Sequence, residues 1–300
     1  MSAIRQRPSL IDRAGEVRAN PARLEELWHK AQIIEVGKGR IRSSIEGLTF
    51  IPPAQAIGGE RYFLGIELET NIPFFAWASG AVESDVEDYL TLRELSGGLS
   101  PLQLEIAMHA IALSNWHGAH PHCAKCGAAT RADLGGAVRV CDVDESQHHP
   151  RTDPAVIVLI KDRADRILLG HQPVWPEGRF STFAGFLEPG ETFEQCVTRE
   201  AFEESGVRLT EIKYLGSQPW PFPASIMIAF EAITDAPDDA RPDGEEITEV
   251  KWFSRAQLKS SAEDGSLLLP PKVSVARQMI EGWLGATELD ASKLAGETWR

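Results

Sequence analysis

Between Gly185 and Val207 the chain carries six carboxylates in twenty-three residues: Glu188, Glu191, Glu194, Glu200, Glu203 and Glu204. Charge at that density must lie in water or be matched by cations, so the stretch limits the folds open to the chain. Thr192 followed three residues later by Gln195 predicts a capping box, and Gly206 predicts where the helix stops. With Phe193 at zero and about 100° per residue, Val197 falls near ~40° and Cys196 near ~300°. Glu200 and Glu204 then lie within about 20° of Phe193. The two acids prolong an apolar stripe and are expected to turn inward. There, an unpaired carboxylate must hold a cation or keep its proton. Glu203 lies about 80° round the helix, four residues beyond Arg199, which predicts an orienting ion pair. Glu191 is expected to brace the preceding loop.

Gly185-Phe186-Leu187-Glu188-Pro189-Gly190-Glu191, followed seven residues later by Arg199-Glu200-Ala201-Phe202-Glu203-Glu204-Ser205-Gly206-Val207, resembles the Nudix box. Ala201 departs mildly, standing where a larger aliphatic is common. The resemblance implies an α/β fold (α+β), an α/β/α sandwich bearing a loop–helix–loop. It also implies hydrolysis of a nucleoside diphosphate linked to another group, with two or three Mg²⁺ or Mn²⁺ ions per site. Hard cations with oxygen ligands neutralise phosphate and lower the pKa of a bound water. By the resemblance, Glu200 and Glu204 are metal ligands and the catalytic pair, and the Ala184 carbonyl joins them. A glutamate ahead of the strand containing Trp252 completes the set. Glu246 is the best match, with Glu245 and Glu249 as the nearby alternatives.

Ser217-Gln218-Pro219-Trp220-Pro221-Phe222-Pro223-Ala224-Ser225 alternates three prolines with two aromatics. Proline fixes φ and removes donors, so a stiff extended segment without a normal strand ladder is expected. This segment resembles the diagnostic motif of the NADH pyrophosphatases of the NudC type. That family cleaves NADH or NAD⁺ to nicotinamide mononucleotide and AMP, and bacterial members remove NAD caps from RNA 5′ ends. The resemblance makes Gln218, Pro219, Trp220, Pro221, Phe222, Pro223, Ala224 and Ser225 part of the wall receiving the dinucleotide. It adds substrate contacts at Arg93 and Ala276, and it implies a homodimer. Hydrolysis of ADP-ribose or another nucleotide sugar is the alternative within enzymes. A nucleotide-sensing module that does not cleave is the alternative outside them, against which the full set of Glu200, Glu203 and Glu204 argues.

Cys123-Ala124-Lys125-Cys126-Gly127 and then Cys141 bring thiols together at the spacing of a structural zinc ribbon. Where the family usually closes with a second C-x2-C, this chain has Asp144. The fourth ligand is open between Asp144, His148 and His149. His149 also stands where the family often has a tyrosine, and it reads as a polar loop residue. Strands are expected over 155–160, 166–169, 181–186, 225–233 and 250–253, and a helix from Ser100-Pro101 to about Gly118. Three parts follow: a mixed N-terminal domain (1–117), a zinc-ribbon-like segment (118–153) and the Nudix domain (154–285), with a tail (286–300). Three hundred residues, 43% of them hydrophobic, suffice for two cores. No run is long enough for a membrane span and no apolar signal core opens the chain, so a cytoplasmic address is expected. Four cysteines are too few for a disulfide scaffold. A net charge of −14 argues against a broad grip on nucleic acid. Recognition of RNA would be confined to its capped end.

Overall fold

The computed structural model describes residues 8–44, 46–82, 88–95 and 98–285; the tail expected from 286 lies outside them. The described chain divides into two units. One comprises residues 8–152 together with Trp220–Ala224, the other 153–219 and 225–285.

The first unit opens with β1 (Ile11–Asp12), α1 (Pro21–Trp28), β2 (Gln32–Gly37), β3 (Arg40–Ser44), β4 (Gly47–Leu48) and β5 (Phe50–Ile51). It continues through β6 (Glu60–Glu67), β7 (Pro73–Ala78), β8 (Tyr89–Thr91), α2 (Leu92–Leu95) and α3 (Pro101–Ala119). β3, β4 and β5 are short, and β3 and β4 fold back on each other as an antiparallel pair. The sheet order is β1-β6-β7-β2-β3-β4, with β5 beside β2 and β8 beside β3. Alternation along β2 sends Ile33 to the core that α1 covers with Leu27 and Trp28. Ile34 and Val36 go to the core that α3 covers with Ile106, Ala107, Ala110 and Ile111. As expected, α3 begins at a capping box made by Ser100 and Gln103, and it ends at Ala119. Behind it, β9 (Thr130–Asp133), β10 (Val138–Cys141) and β11 (Gln147–His148) form a small antiparallel sheet.

The second unit contains β12 (Asp153–Asp162), β13 (Ile167–His171), β14 (Phe183–Phe186), α4 (Phe193–Ser205), β15 (Glu211–Trp220), β16 (Ser225–Thr234), β17 (Glu249–Phe253), α5 (Arg255–Glu263) and α6 (Val275–Leu284). The sheet runs β15-β16-β12-β13-β17, with β14 on β12. β12 and β16 are parallel, whereas β14 and β13 meet β12 antiparallel. β12 explains the layering. Val156, Val158 and Ile160 face Cys196, Val197 and Ala201 of α4. Ile157 and Leu159 face Leu258 of α5 and Val275, Met279 and Ile280 of α6. Both faces are covered, so the strand reads as a continuous apolar run, and the unit is the α/β/α sandwich anticipated above. Each such aliphatic taken fully from water contributes roughly 1.5–3 kcal/mol before conformational entropy is counted. α5 was not anticipated, although Ser254 and Gln257 form a capping box at its start. Among the described residues, no helix is long and apolar enough to cross a membrane.

Candidate active site

α4 is capped as its sequence requires. The Thr192 side chain accepts from Gln195 N–H while Gln195 reaches back to Thr192, and Gly206 ends the helix at φ 70°. The buried face is Cys196, Val197, Ala201, Glu204 and Ser205. Glu204, 4% exposed, turns inward as expected, and Glu200 lies at the edge of that face with its side chain 13% exposed. The reference residue Phe193 is a correction: at 38% exposed it stands out in solvent. It is the first residue of the helix and stands outside the core cluster that takes in Cys196, Val197 and Ala201.

The second helix-facing element is β14. Ala184 N–H donates to Glu204 Oε2 at 3.1 Å. Next to it, a Cβ built on Gly185 would lie 1.9 Å from Glu200 Cδ, so the space above Gly185 is filled by the Glu200 carboxylate. The glycine is thus a matter of close approach rather than of turn geometry. Arg199 ties the rest of the motif together. Its Nε and Nη2 donate to the two oxygens of Glu191 (2.7 and 2.8 Å). Nη1 donates to Glu200 (2.7 Å) and Glu203 (3.0 Å), and Nη2 also donates to the Phe186 carbonyl at 3.0 Å. Both the Glu203 ion pair and the bracing role of Glu191 are present. The Arg199 fork holds the Glu191 carboxyl down at about 2, helped by the Glu188 N–H.

Glu246 arrives from the loop before β17. Asp243 shapes that loop, its Oδ1 accepting from the N–H groups of Glu245 (2.5 Å), Glu246 (2.8 Å) and Ile247 (3.2 Å). Gln172, just past β13, donates to Glu246 Oε1 at 3.3 Å. Neither residue was singled out from the sequence. An Asp three places before a glutamate is a legible loop-capping signal; nothing marks Gln172 in advance. Of the three glutamates the sequence offers here, Glu246 is the one whose charge weighs most on Glu204.

The electrostatics show what this gathering lacks. Glu204 is pushed up to about 9, chiefly by burial, then by repulsion from Glu246 and Glu200, with Asp243 adding to it and the Ala184 N–H opposing. Glu200 is raised too, by burial, against the pull of Arg199. Oxygen donors held together at this cost in a half-dry site suit hard divalent cations, which reverse the repulsion. Glu200, Glu204 and Glu246 would be the carboxylates holding them.

The proline-rich segment departs from the extended, ladder-free form expected. Ser217 to Trp220 are the last residues of β15, hydrogen-bonded beside β16, and Pro221 to Ala224 make a turn. β15 is the outermost strand in the sheet, the position at which a strand tolerates proline. Both ends of the Gln218 amide are used: Nε2 donates to Val273 O (2.6 Å) and Oε1 accepts from Val275 N–H (2.7 Å). That pair fixes the start of α6, where Ala276 is buried in the core. In the first unit, Trp220 meets Phe222 edge-on at 4.8 Å, and the Arg93 guanidinium lies 4.7 Å over the Phe222 ring. Ser225, buried, opens β16.

The cysteine segment converges as a metal site would. Ligand atoms of Cys123, Cys126, Cys141 and Asp144 lie within 4.8 Å of one another. Cys126 and Cys141 sulfurs are 3.6 Å apart, against about 3.8 Å for two thiolates on one tetrahedral zinc. Lys125 N–H points at the Cys123 sulfur, and Val143 and Asp144 N–H groups point at that of Cys141. The Cys123 thiol is lowered to about 6, first by the Ser146 hydroxyl. Of the three candidate fourth donors, the geometry gathers Asp144. His148 lies 3.3 Å from the Cys123 sulfur as a neighbour, and His149 is exposed. The cluster is compatible with structural zinc.

Residues 151–272 match the family described as the NUDIX domain. The chain is 36% identical over 297 residues to the NAD-capped RNA hydrolase NudC of Mycobacterium bovis, an alignment spanning 91% of this chain and 92% of that protein. It is 32% identical over 262 residues to the NAD-capped RNA hydrolase NUDT12 of Macaca fascicularis, spanning 74% of this chain and 56% of that one. The solved NUDIX hydrolase of Nitrosomonas europaea is 25% identical, covering 45% of this chain and 78% of its own, with a TM-score of 0.39.

Proposed function

Because the chain belongs to the NudC-type NAD-capped RNA hydrolases, within the Nudix hydrolases, we propose that it hydrolyses the pyrophosphate of NAD(H) to nicotinamide mononucleotide and AMP. The same chemistry would remove NAD caps from RNA 5′ ends. One observation carries the catalytic assignment: Glu204 is buried beside Glu200 and Glu246, so that its ionised form calls for a bound cation. Two or three Mg²⁺ or Mn²⁺ ions bound there would screen the diphosphate, lower the pKa of a water and stabilise charge on the departing phosphate. The protein's part is positional. Ala184 N–H and the packing of α4 hold Glu204, Gly185 leaves room for Glu200, and Arg199 keeps the loop from drifting. Arg93, the motif from Gln218 to Ser225, and Ala276 are read as receiving the dinucleotide.

The remaining parts of this reading are a structural zinc on Cys123, Cys126, Cys141 and Asp144, a homodimer and a cytoplasmic address. They also include a three-part chain of N-terminal domain, zinc-ribbon-like segment and Nudix domain, divided near 117 and 153.

Product analysis tests the function. NADH, NAD⁺, ADP-ribose and NAD-capped RNA are incubated under matched Mg²⁺ or Mn²⁺. Nicotinamide mononucleotide and AMP are expected from NADH. Cleavage of ADP-ribose with no release from NADH would move the chain to the nucleotide-sugar hydrolases, and binding with no cleavage of any substrate would make it a sensor. Gly185→Ala tests the site geometry. Its methyl group needs the space of the Glu200 carboxylate, the end of a flexible side chain, so kcat/KM is expected to fall about a hundredfold while stability changes by less than about 1 kcal/mol. Kinetics beside a melting curve check both numbers, and an active, stable variant would show that Glu200 is free to move.

A further inference from the structure

Three prolines in five residues leave the Pro219–Pro223 stretch almost without backbone donors. Within it, Phe222 N–H donates to Trp220 O at 2.7 Å. The carbonyls of Pro221 and Pro223 therefore find no donor within the stretch itself. Asn115, near the end of α3, supplies both: its Nδ2 lies 3.2 Å from Pro221 O and 3.1 Å from Pro223 O. Two acceptors on one atom force that atom to be the amide nitrogen, so the orientation of the carboxamide is set by chemistry. Its oxygen then faces the turn between β2 and β3, where a Cβ on Gly39 would lie 3.8 Å away. Between the two held carbonyls is Phe222, stacked by Arg93 on one side and by the edge of Trp220 on another. All of these residues belong to the same unit, with Asn115 on a helix packed into its main core.

We propose that Asn115 is a specificity-determining positioning residue: by holding the Pro221 and Pro223 carbonyls, it fixes the pose of Trp220 and Phe222, against which an aromatic ring of the dinucleotide is received. The inference rests on the reading that this turn binds substrate. Proline limits the backbone of this turn but leaves it few hydrogen bonds of its own to fix where it sits, and ligand binding would have to select that placement. A side chain on a rigid helix makes that selection beforehand, which is reflected in affinity rather than in the chemical step.

The test uses the whole 300-residue chain, purified without chelator. NADH binding is titrated by tryptophan fluorescence without added Mg²⁺ or Mn²⁺, and steady-state kinetics are run with Mg²⁺. Asn115→Asp keeps the volume and removes the donor; Asn115→Ala removes the group altogether. Both are expected to raise Kd and KM for NADH about tenfold while kcat stays within about twofold. A change in the unliganded emission of Asn115→Asp should vanish in a Trp220→Ala background, which a general loosening of the fold would not reproduce. Wild-type Kd in either folded Asn115 variant, with Trp220→Ala binding weakly, overturns the inference alone. Wild-type Kd in Trp220→Ala overturns the underlying reading of the turn.

Discussion

Glu204→Gln is expected to lose turnover by about a thousandfold and, in protein freed of Mg²⁺ and Mn²⁺, to melt at a higher temperature than the parent at pH 8. The two effects share one cause. In the folded protein the Glu204 carboxyl titrates at about 9, because burial and the charges of Glu246 and Glu200 oppose its ionisation. Unfolded, it titrates near the ordinary value of ~4.3. Below that value both states are protonated and the group contributes nothing. Between the two values unfolding releases a proton, so stability falls as pH rises, by up to about 1.4 kcal/mol per pH unit. Above the folded value the loss is complete and constant. The parent without divalent metal should therefore lose stability steadily from about pH 5 to pH 8, and the Gln variant should lack that slope. Relief of even ~2 kcal/mol amounts to several degrees of melting temperature. Adding Mg²⁺ or Mn²⁺ should stabilise the parent more than the variant, since removing the acid removes a ligand. Calorimetry across pH 5–8, with and without the ion, reads the stability; kcat on NADH reads the chemistry. Near-parental turnover in Glu204→Gln would refute its assignment.

The second large effect concerns the other metal. Purified protein is expected to carry one zinc per chain, and Cys141→Ser to carry none. The small sheet of β9, β10 and β11 has little apolar core of its own, so the metal should be a main source of its order. Loss of zinc, by substitution or by a strong chelator, should lower the melting temperature of the first unit by on the order of 10 °C. Elemental analysis and a melting curve check both points. Asp144→Asn should weaken zinc retention and His148→Ala should not, because Asp144 is the donor gathered with the three sulfurs. A full complement of zinc in Cys141→Ser would remove Cys141 from the site.

Where local rules operate, the sequence was readable. The caps of α3 and α4 follow from residues three apart, Gly206 from its freedom at positive φ, and the Arg199–Glu203 pair from helical spacing. β12 could be read as buried because both of its faces are apolar. The same rules misplace Phe193, since periodicity says which face a residue shares but not how far along the helix the core extends. They also miss the shape of the proline-rich motif, which is half edge strand and half turn.

The order of residues by itself determined the acidic helix, its ends and the gathering of three thiols, because each depends on spacing along one element. Which carboxylates stand together, that Asp144 rather than a histidine joins the sulfurs, and that Asn115 clamps a turn more than a hundred residues away were decided by the fold. Repulsion, burial and hydrogen bonding act through space, and separation along the chain does not encode which distant residues become neighbours.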